Sequence, residues 1–283
     1  RKLPEEIHGF ITKPSLLLVS KSDTRATIHR AVNMDVIGVK KIDSRGKVKG
    51  FWLFVGLFTS AAYNKSPRDI PLLRRRITKI LDKAGYARTS HNGKLLTNIL
   101  ETFPRDELFQ ASDIYLYNTA LGILHLQEHE RVALFMRGDR FQRFFCCLVY
   151  VPRERYSTEL RHRMEKILID TFNGTASQFY TQLGDSPLAR IHFIIFTKQG
   201  KKRTFDVAKL EERLAKVAQS WSDQIGEILI KAYGKELGAE LIGRYGEAFG
   251  AGYKDRYSLN EVLEDIAEIE RTRLDGRVGL NFY

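Results

Sequence analysis

An α+β fold, with two small antiparallel sheets followed by a helical segment, is what this chain predicts. Runs of β-branched and aromatic residues flank a glycine turn early on. A second set of apolar runs, in the middle, surrounds one amphipathic helix in the order β-β-α-β-β. Beyond residue 204 nearly every apolar position recurs at helical spacing. The 283 residues are enough for about two domains with cores of their own. Hydrophobic residues at 43% and charged residues at 28% exclude a disordered or collagen-like chain. The expected division is a basic α+β domain over 1–111, a second α+β domain over 112–203, and a helical segment over 204–283 that ends in the first strand of a next domain.

Leu16 to Val19 has the composition of a strand. Val36 to Ile42 and Val48 to Phe58 flank Ser44-Arg45-Gly46 and predict a hairpin, with Gly46 free to take a positive φ. Ser66-Pro67 followed by Asp69 opens a helix: a serine cap, proline in the first turn and an acid near the helix N-terminus. Gly85 closes it after Lys83. A short helix over about 93–102 precedes Pro104, and another over about 113–126 is capped by Ser112.

Val132–Met136 and Arg143–Val151 predict two strands around a charged turn. A helix from Ser157 to Phe172 follows, then strands at Gln178–Leu183 and Ile191–Thr197, so the helix covers one face of an antiparallel sheet. The spacing of the glycines at 234, 238, 243, 246, 250 and 252 suits close packing of helices better than a phosphate cradle.

The net charge of +12 is uneven: residues 1–110 carry 21 basic and 10 acidic residues, while 200–283 carry 14 and 15. A basic front raises nucleic-acid binding as a class. That reading needs aromatic side chains interleaved with the charge, and Phe51, Trp52, Phe54 and Phe58 sit in a run expected to be buried, so nucleic acid is the disfavoured partner. Two adjacent cysteines, Cys146 and Cys147, form no disulfide framework and imply a reducing, cytoplasmic setting. No apolar run approaches a membrane span and no leader pattern opens the chain, so no membrane partner is expected. The start at Arg1 and the final strand-like Val278–Tyr283 suggest a piece of a longer protein.

Catalytic chemistry is not evident, since neither a dinucleotide-binding GxGxxG nor a GxxxxGK[ST] loop occurs. Lys21, Arg25, His29, Lys40 and Lys41 lie on or beside the first sheet and form a candidate anion or effector pocket, with a plain surface cluster as the competing reading. Arg74, Arg75 and Arg76 form a candidate interface run, against which Glu261, Glu264, Asp265, Glu268 and Glu270 offer acidic partners. Arg137, Arg140 and Arg143 around the central turn are expected in solvent. His125 and His129, four apart at a helix end, share a face without an evident third metal ligand, and no metal site is assigned.

Seven ordered stretches carry a resemblance. Thr24–Arg30, Ile37–Lys40, Gly56–Tyr63 and Ser66–Arg74 belong to the front; Phe103–Phe109, Leu148–Tyr156 and Ser186–Arg190 follow. Together they resemble the large, long-chain NAD-specific glutamate dehydrogenases of bacteria, in register from about residue 15 to 197. The resemblance implies a non-catalytic N-terminal segment with a PAS-like first module and an ACT-like second one. It further implies a regulatory or assembly role, a downstream catalytic domain in the same chain, a homo-oligomer and a small-molecule effector. NAD would serve the full-length enzyme, with no cofactor in this segment, because the family's catalytic lysine and glycine motif have no counterpart here. One departure stands out: the β-β-α-β-β order differs from the β-α-β-β-α-β of a standard ACT module. A nucleic-acid-binding module and a ligand-free oligomerisation spacer are the alternatives.

Overall fold

Strands β1 (Leu17–Arg25), β2 (Asn33–Ile42) and β3 (Val48–Gly56) form an antiparallel sheet in the order β1-β2-β3. The structure is a computed structural model and describes residues 16–28, 32–126, 129–139, 141, 143–184, 186–198 and 204–276. Gly46 turns the β2–β3 hairpin with φ +78°, the conformation for which glycine was expected there. The strand β3 corrects one expectation. Trp52, Leu53, Phe54 and Val55 are all more than half exposed, so the aromatic run is not buried. Among the described residues the strand pairs only with β2 and stands at the sheet edge, where consecutive apolar residues alternate between two exposed faces. Phe58, beyond the strand, does pack, stacking on Phe109 at 4.6 Å.

Helices follow: α1 (Ser60–Asn64), a 3₁₀ turn (Pro67–Asp69), α2 (Pro71–Ala84), α3 (His91–Glu101), α4 (Arg105–Gln110) and α5 (Asp113–Leu126). The helix expected from Ser66 is split in two. Pro71 holds the preceding Ile70 in an extended conformation, so Ser66 caps only the 3₁₀ turn, accepting from the Arg68 N–H, and a new helix starts at Pro71. Its end at Gly85, φ +72°, is as expected. Ser90 caps α3, and Ser112 accepts from the Tyr115 N–H at the start of α5.

The second sheet contains β4 (Ala133–Gly138), β5 (Phe144–Pro152), β6 (Gly174–Gln182) and β7 (Leu188–Thr197), antiparallel throughout in the order β4-β5-β7-β6. Helix α6 (Thr158–Phe172), capped by Ser157, lies between β5 and β6 in the chain. The β-β-α-β-β order is therefore as read from the sequence, with α6 on one face as expected; at β5 the other face is covered as well. Every residue of β5 is buried, which is why it reads as an unbroken apolar run. Phe145 stacks on Phe172 of α6 at 4.5 Å, whereas Leu148 and Tyr150 join the core formed by α2, α3 and α5.

The chain divides into two units, one reaching Glu211 and the other starting at Glu212, with α7 (Val207–Val217) spanning the division. The second unit contains α8 (Trp221–Tyr233), α9 (Lys235–Tyr245), α10 (Ala251–Arg256) and α11 (Leu259–Asp275). Serine capping boxes open α8 and α11. Its core is Ile225, Leu229, Leu241, Tyr245, Val262 and Ile266. A Cβ at Gly238 would meet the Ile230 Cα at 2.8 Å, so glycine here permits the close approach of α8 and α9. The strand expected over 278–283 lies outside the described residues.

Candidate functional site

Strand register assembles the site. Residues directly opposite one another share a face, and on one face of the second sheet three rows lie side by side. Arg137, Cys146, Ile194 and Gln178 form the first; Phe135, Leu148, His192 and Tyr180 the second; Phe144 and Phe196 begin the third. Helix α4 brings charge to this face. Pro104, extended, sets its start, and Asp106 and Glu107 occupy its first turn, where the helix N-terminus favours acids. Between them lies a cavity of about 330 Å³, reached also by Lys21 and Asn33 of the first sheet and by Arg190.

Two ion-pair clusters frame the cavity. Glu107, 1% exposed, receives two parallel hydrogen bonds from Arg137, Nε to Oε2 at 2.6 Å and Nη2 to Oε1 at 2.7 Å. Burial pushes the Glu107 carboxyl up, but the Arg137 guanidinium outweighs it and holds the carboxyl below its ordinary range. Lys21 donates to Asp35 at 2.6 Å and lies 3.3 Å from Asp106. Burial works against the Lys21 ammonium, yet those two carboxylates raise its pKa.

Arg105 is different. Its Nη2 donates to the backbone carbonyls of Tyr63 and Lys65, at 3.2 and 3.0 Å, while Nε and Nη1 are buried without an acceptor among the described residues. Desolvation lowers its pKa. His192, 5% exposed, leaves Nε2 without a partner among the described residues, and burial pushes its pKa below the ordinary imidazole value.

Glu107, Cys146 and His192 also bring one donor atom each to within 4.8 Å of the others, a set that a zinc-like cation would use. The donors do not fit such an ion. Both Glu107 oxygens are taken by a guanidinium, and burial pushes the Cys146 thiol well above its ordinary value, so it stays protonated.

The four described residues of the expected anion pocket do not converge. Lys21 lines the cavity. Arg25 is exposed, and His29 lies outside the described residues. Lys40 is buried and Lys41 exposed, since neighbours on β2 point to opposite faces; Lys41 Nζ sits 3.4 Å from the Trp52 ring centroid. Both are about 15–20 Å along the strand from Asp35, the partner of Lys21.

In the arginine run, Arg74 and Arg75 are exposed. Arg76 bonds internally, with Nε to Asp113 at 2.9 Å and its two Nη to the carbonyls of Leu108, Phe109 and Ala111. Within the second unit Glu261 closes the α11 capping box, Asp265 accepts from Tyr253, Glu268 pairs with Arg271, and Glu270 with Arg244 and Arg273.

Around the central turn, Arg137 and Arg143 correct the expectation of solvent: the first is locked to Glu107, the second to Asp139 at 2.7 Å and to Ser20 at 2.9 Å. Arg140 lies outside the described residues. His125 and His129 are both exposed, and α5 ends at Leu126, so they do not share a helical face.

Arg105, Glu107, Cys146 and His192 were not read as a site, because three chain segments supply them. The available signals were weak: a histidine inside the apolar run Ile191–Ile195, and charge packed tightly behind Pro104.

Three family models match: the glutamate dehydrogenase ACT2 domain over residues 133–222, glutamate dehydrogenase helical motif 1 over 70–129 and helical motif 2 over 228–271. The chain belongs to the NAD-specific glutamate dehydrogenase family. It is 39% identical over 274 residues to the NAD-specific glutamate dehydrogenase of Halomonas elongata and 31% identical over 275 residues to that of Pseudomonas aeruginosa. Each alignment covers 97% of this chain and 17% of the relative. The Mycobacterium tuberculosis NAD-specific glutamate dehydrogenase is 35% identical over 184 residues, 61% of this chain and 11% of that protein. The chain thus spans about one sixth of the length of these relatives. In this glutamate dehydrogenase segment the ACT2 match begins at β4, so the Arg137, Cys146 and His192 rows belong to it, while Arg105 and Glu107 come from helical motif 1. Among the described residues, no helix is long and apolar enough to cross a membrane.

Proposed function

We propose that this chain is a non-catalytic regulatory and assembly segment on the N-terminal side of a large, cytoplasmic NAD-dependent glutamate dehydrogenase. The whole enzyme converts L-glutamate, NAD and water to 2-oxoglutarate, ammonia and NADH, with NAD held by a downstream catalytic domain of the same chain. The observation that carries this reading is the pair of matches along nearly the whole chain to about one sixth of two such enzymes. The cavity between α4 and the second sheet supports a regulatory part, as a place for a small-molecule effector. The PAS-like reading of the front rests on its three antiparallel strands.

The assembly part has its own support. An exposed apolar edge such as β3 pairs readily with a second strand, and a second copy of this chain supplies an identical one across a two-fold axis.

The test is a comparison of the full-length enzyme with a version lacking residues 16–276, by steady-state kinetics and by mass in solution. Deletion is expected to change the effector response or the oligomer while leaving glutamate-dependent NADH formation measurable. The chain alone is expected to form no NADH from glutamate and NAD, and turnover by the chain alone would overturn the reading.

A further inference from the structure

We infer that the cavity beneath α4 binds a small organic acid, with a carboxylate on the Arg105 guanidinium and the carbon skeleton against Phe144 and Ile194. The inference rests on the regulatory reading above for its role in the enzyme, and deepens it by naming a ligand class.

The charge balance of the cavity selects an anion. Lys21 faces two carboxylates, Asp35 and Asp106, and Glu107 pairs with Arg137, so with Arg105 and Arg190 the cavity and its ion pairs carry four cations against three carboxylates. Arg105 has no carboxylate partner among the described residues. It spends Nη2 on two carbonyls and leaves three N–H groups, one on Nε and two on Nη1, buried with no acceptor. An unmade hydrogen bond at a buried cationic donor is costly, and an anionic oxygen is the acceptor that offsets it best. His192 Nε2, likewise buried and unpartnered, offers a second polar contact, as donor or acceptor according to its tautomer.

Size and surface narrow the class. About 330 Å³ lies at the small end of ligand cavities, which argues for a compact metabolite rather than a dinucleotide. Phe144, Ile194 and Phe196 line one wall as an apolar cluster with Cys146, a surface that suits carbon and gives nothing to a bare inorganic anion.

The experiment is isothermal titration of the 283-residue chain with succinate, citrate, inorganic phosphate and succinamide, the last keeping the succinate skeleton without its charge. Saturable binding of succinate or citrate, weakened at least about tenfold by Arg105→Gln, is the expected result. The Nε–H resonance of Arg105 in the unsubstituted chain should shift along the same titration, which keeps the test decisive if Arg105→Gln does not fold.

Equal binding of succinamide, binding of phosphate alone, or no shift at Arg105 with any carboxylate would overturn the ligand class. The regulatory reading fails separately, in the kinetics of the full-length enzyme. Loss of carboxylate binding in the chain leaves that measurement untouched.

Discussion

Glu107 and Arg137 show what one buried ion pair demands of its neighbourhood. Each charge is shielded from water, so removing either partner strands the other. Arg137→Met should cost about 3–5 kcal/mol in urea denaturation at neutral pH. Acid reports on the same cluster in two windows. The Glu107 carboxyl titrates lower in the fold than in the unfolded chain, so its stabilisation is full above about pH 4.5 and disappears as pH falls through the folded value. His192 is pushed below its ordinary 6.5 by burial; the unfolded chain therefore takes up its proton first, and stability starts to fall as pH drops below 6.5. His192→Gln should remove the loss between pH 7 and 5.5 while keeping the steeper loss below 4.5. A denaturation series whose slope in the upper window survives the substitution would assign that loss elsewhere. A second contrast lies in the arginine run. Arg75→Met should change stability by less than about 0.5 kcal/mol. Arg76→Met, which releases three carbonyls and Asp113, should cost about 1–3 kcal/mol by the same assay.

Elements here are set by punctuation that is only partly local. Helix α3 is an example: its third residue is Gly93, where a Cβ would meet the Ala87 carbonyl oxygen at 2.1 Å. Alanine favours a helix by about 1 kcal/mol over glycine, but the clash is with backbone and cannot be relieved by a rotamer. Gly93→Ala should therefore destabilise the chain by about 1–3 kcal/mol, visible as a lowered urea midpoint.

The sequence made much of this level readable. The Gly46 turn, the Ser112 cap and the four strands of the second sheet follow from residue type and spacing. Three features did not. Pro71 lies inside the helix read from Ser66 and starts its own, α4 has six residues and too little periodicity, and β3 looks like a core strand because composition does not say which strand ends a sheet. The site was least legible. Only Lys21 was anticipated in the cavity, since pairing across β4, β5, β7 and β6, rather than any motif, brings Arg137, Cys146 and His192 to one face.

At the scale of the molecule, the exposed aromatic strand separates folding from association. Phe54 is 58% exposed, so Phe54→Lys should leave the stability of the chain within about 0.5 kcal/mol, where a buried phenylalanine would lose about 3–5. A lysine at this edge is also expected to suppress pairing with a second copy, lowering the mass seen in sedimentation at high concentration. An unchanged mass distribution would move the assembly contact to another surface.

The two adjacent thiols carry a consequence for how the first unit comes apart. Cys146 and Cys147 sit side by side on the central strand β5, and a strand turns neighbours to opposite faces. Cys146 faces α4 and the cavity, while Cys147 shares the side on which Phe145 meets α6. A thiol-reactive label therefore has two gates. Detachment of the α4 layer admits it to Cys146, and lifting of α6 admits it to Cys147, so peptide mapping after brief labelling in mild urea would tell which layer leaves first. Simultaneous labelling of both would mean that the two layers open as one cooperative unit.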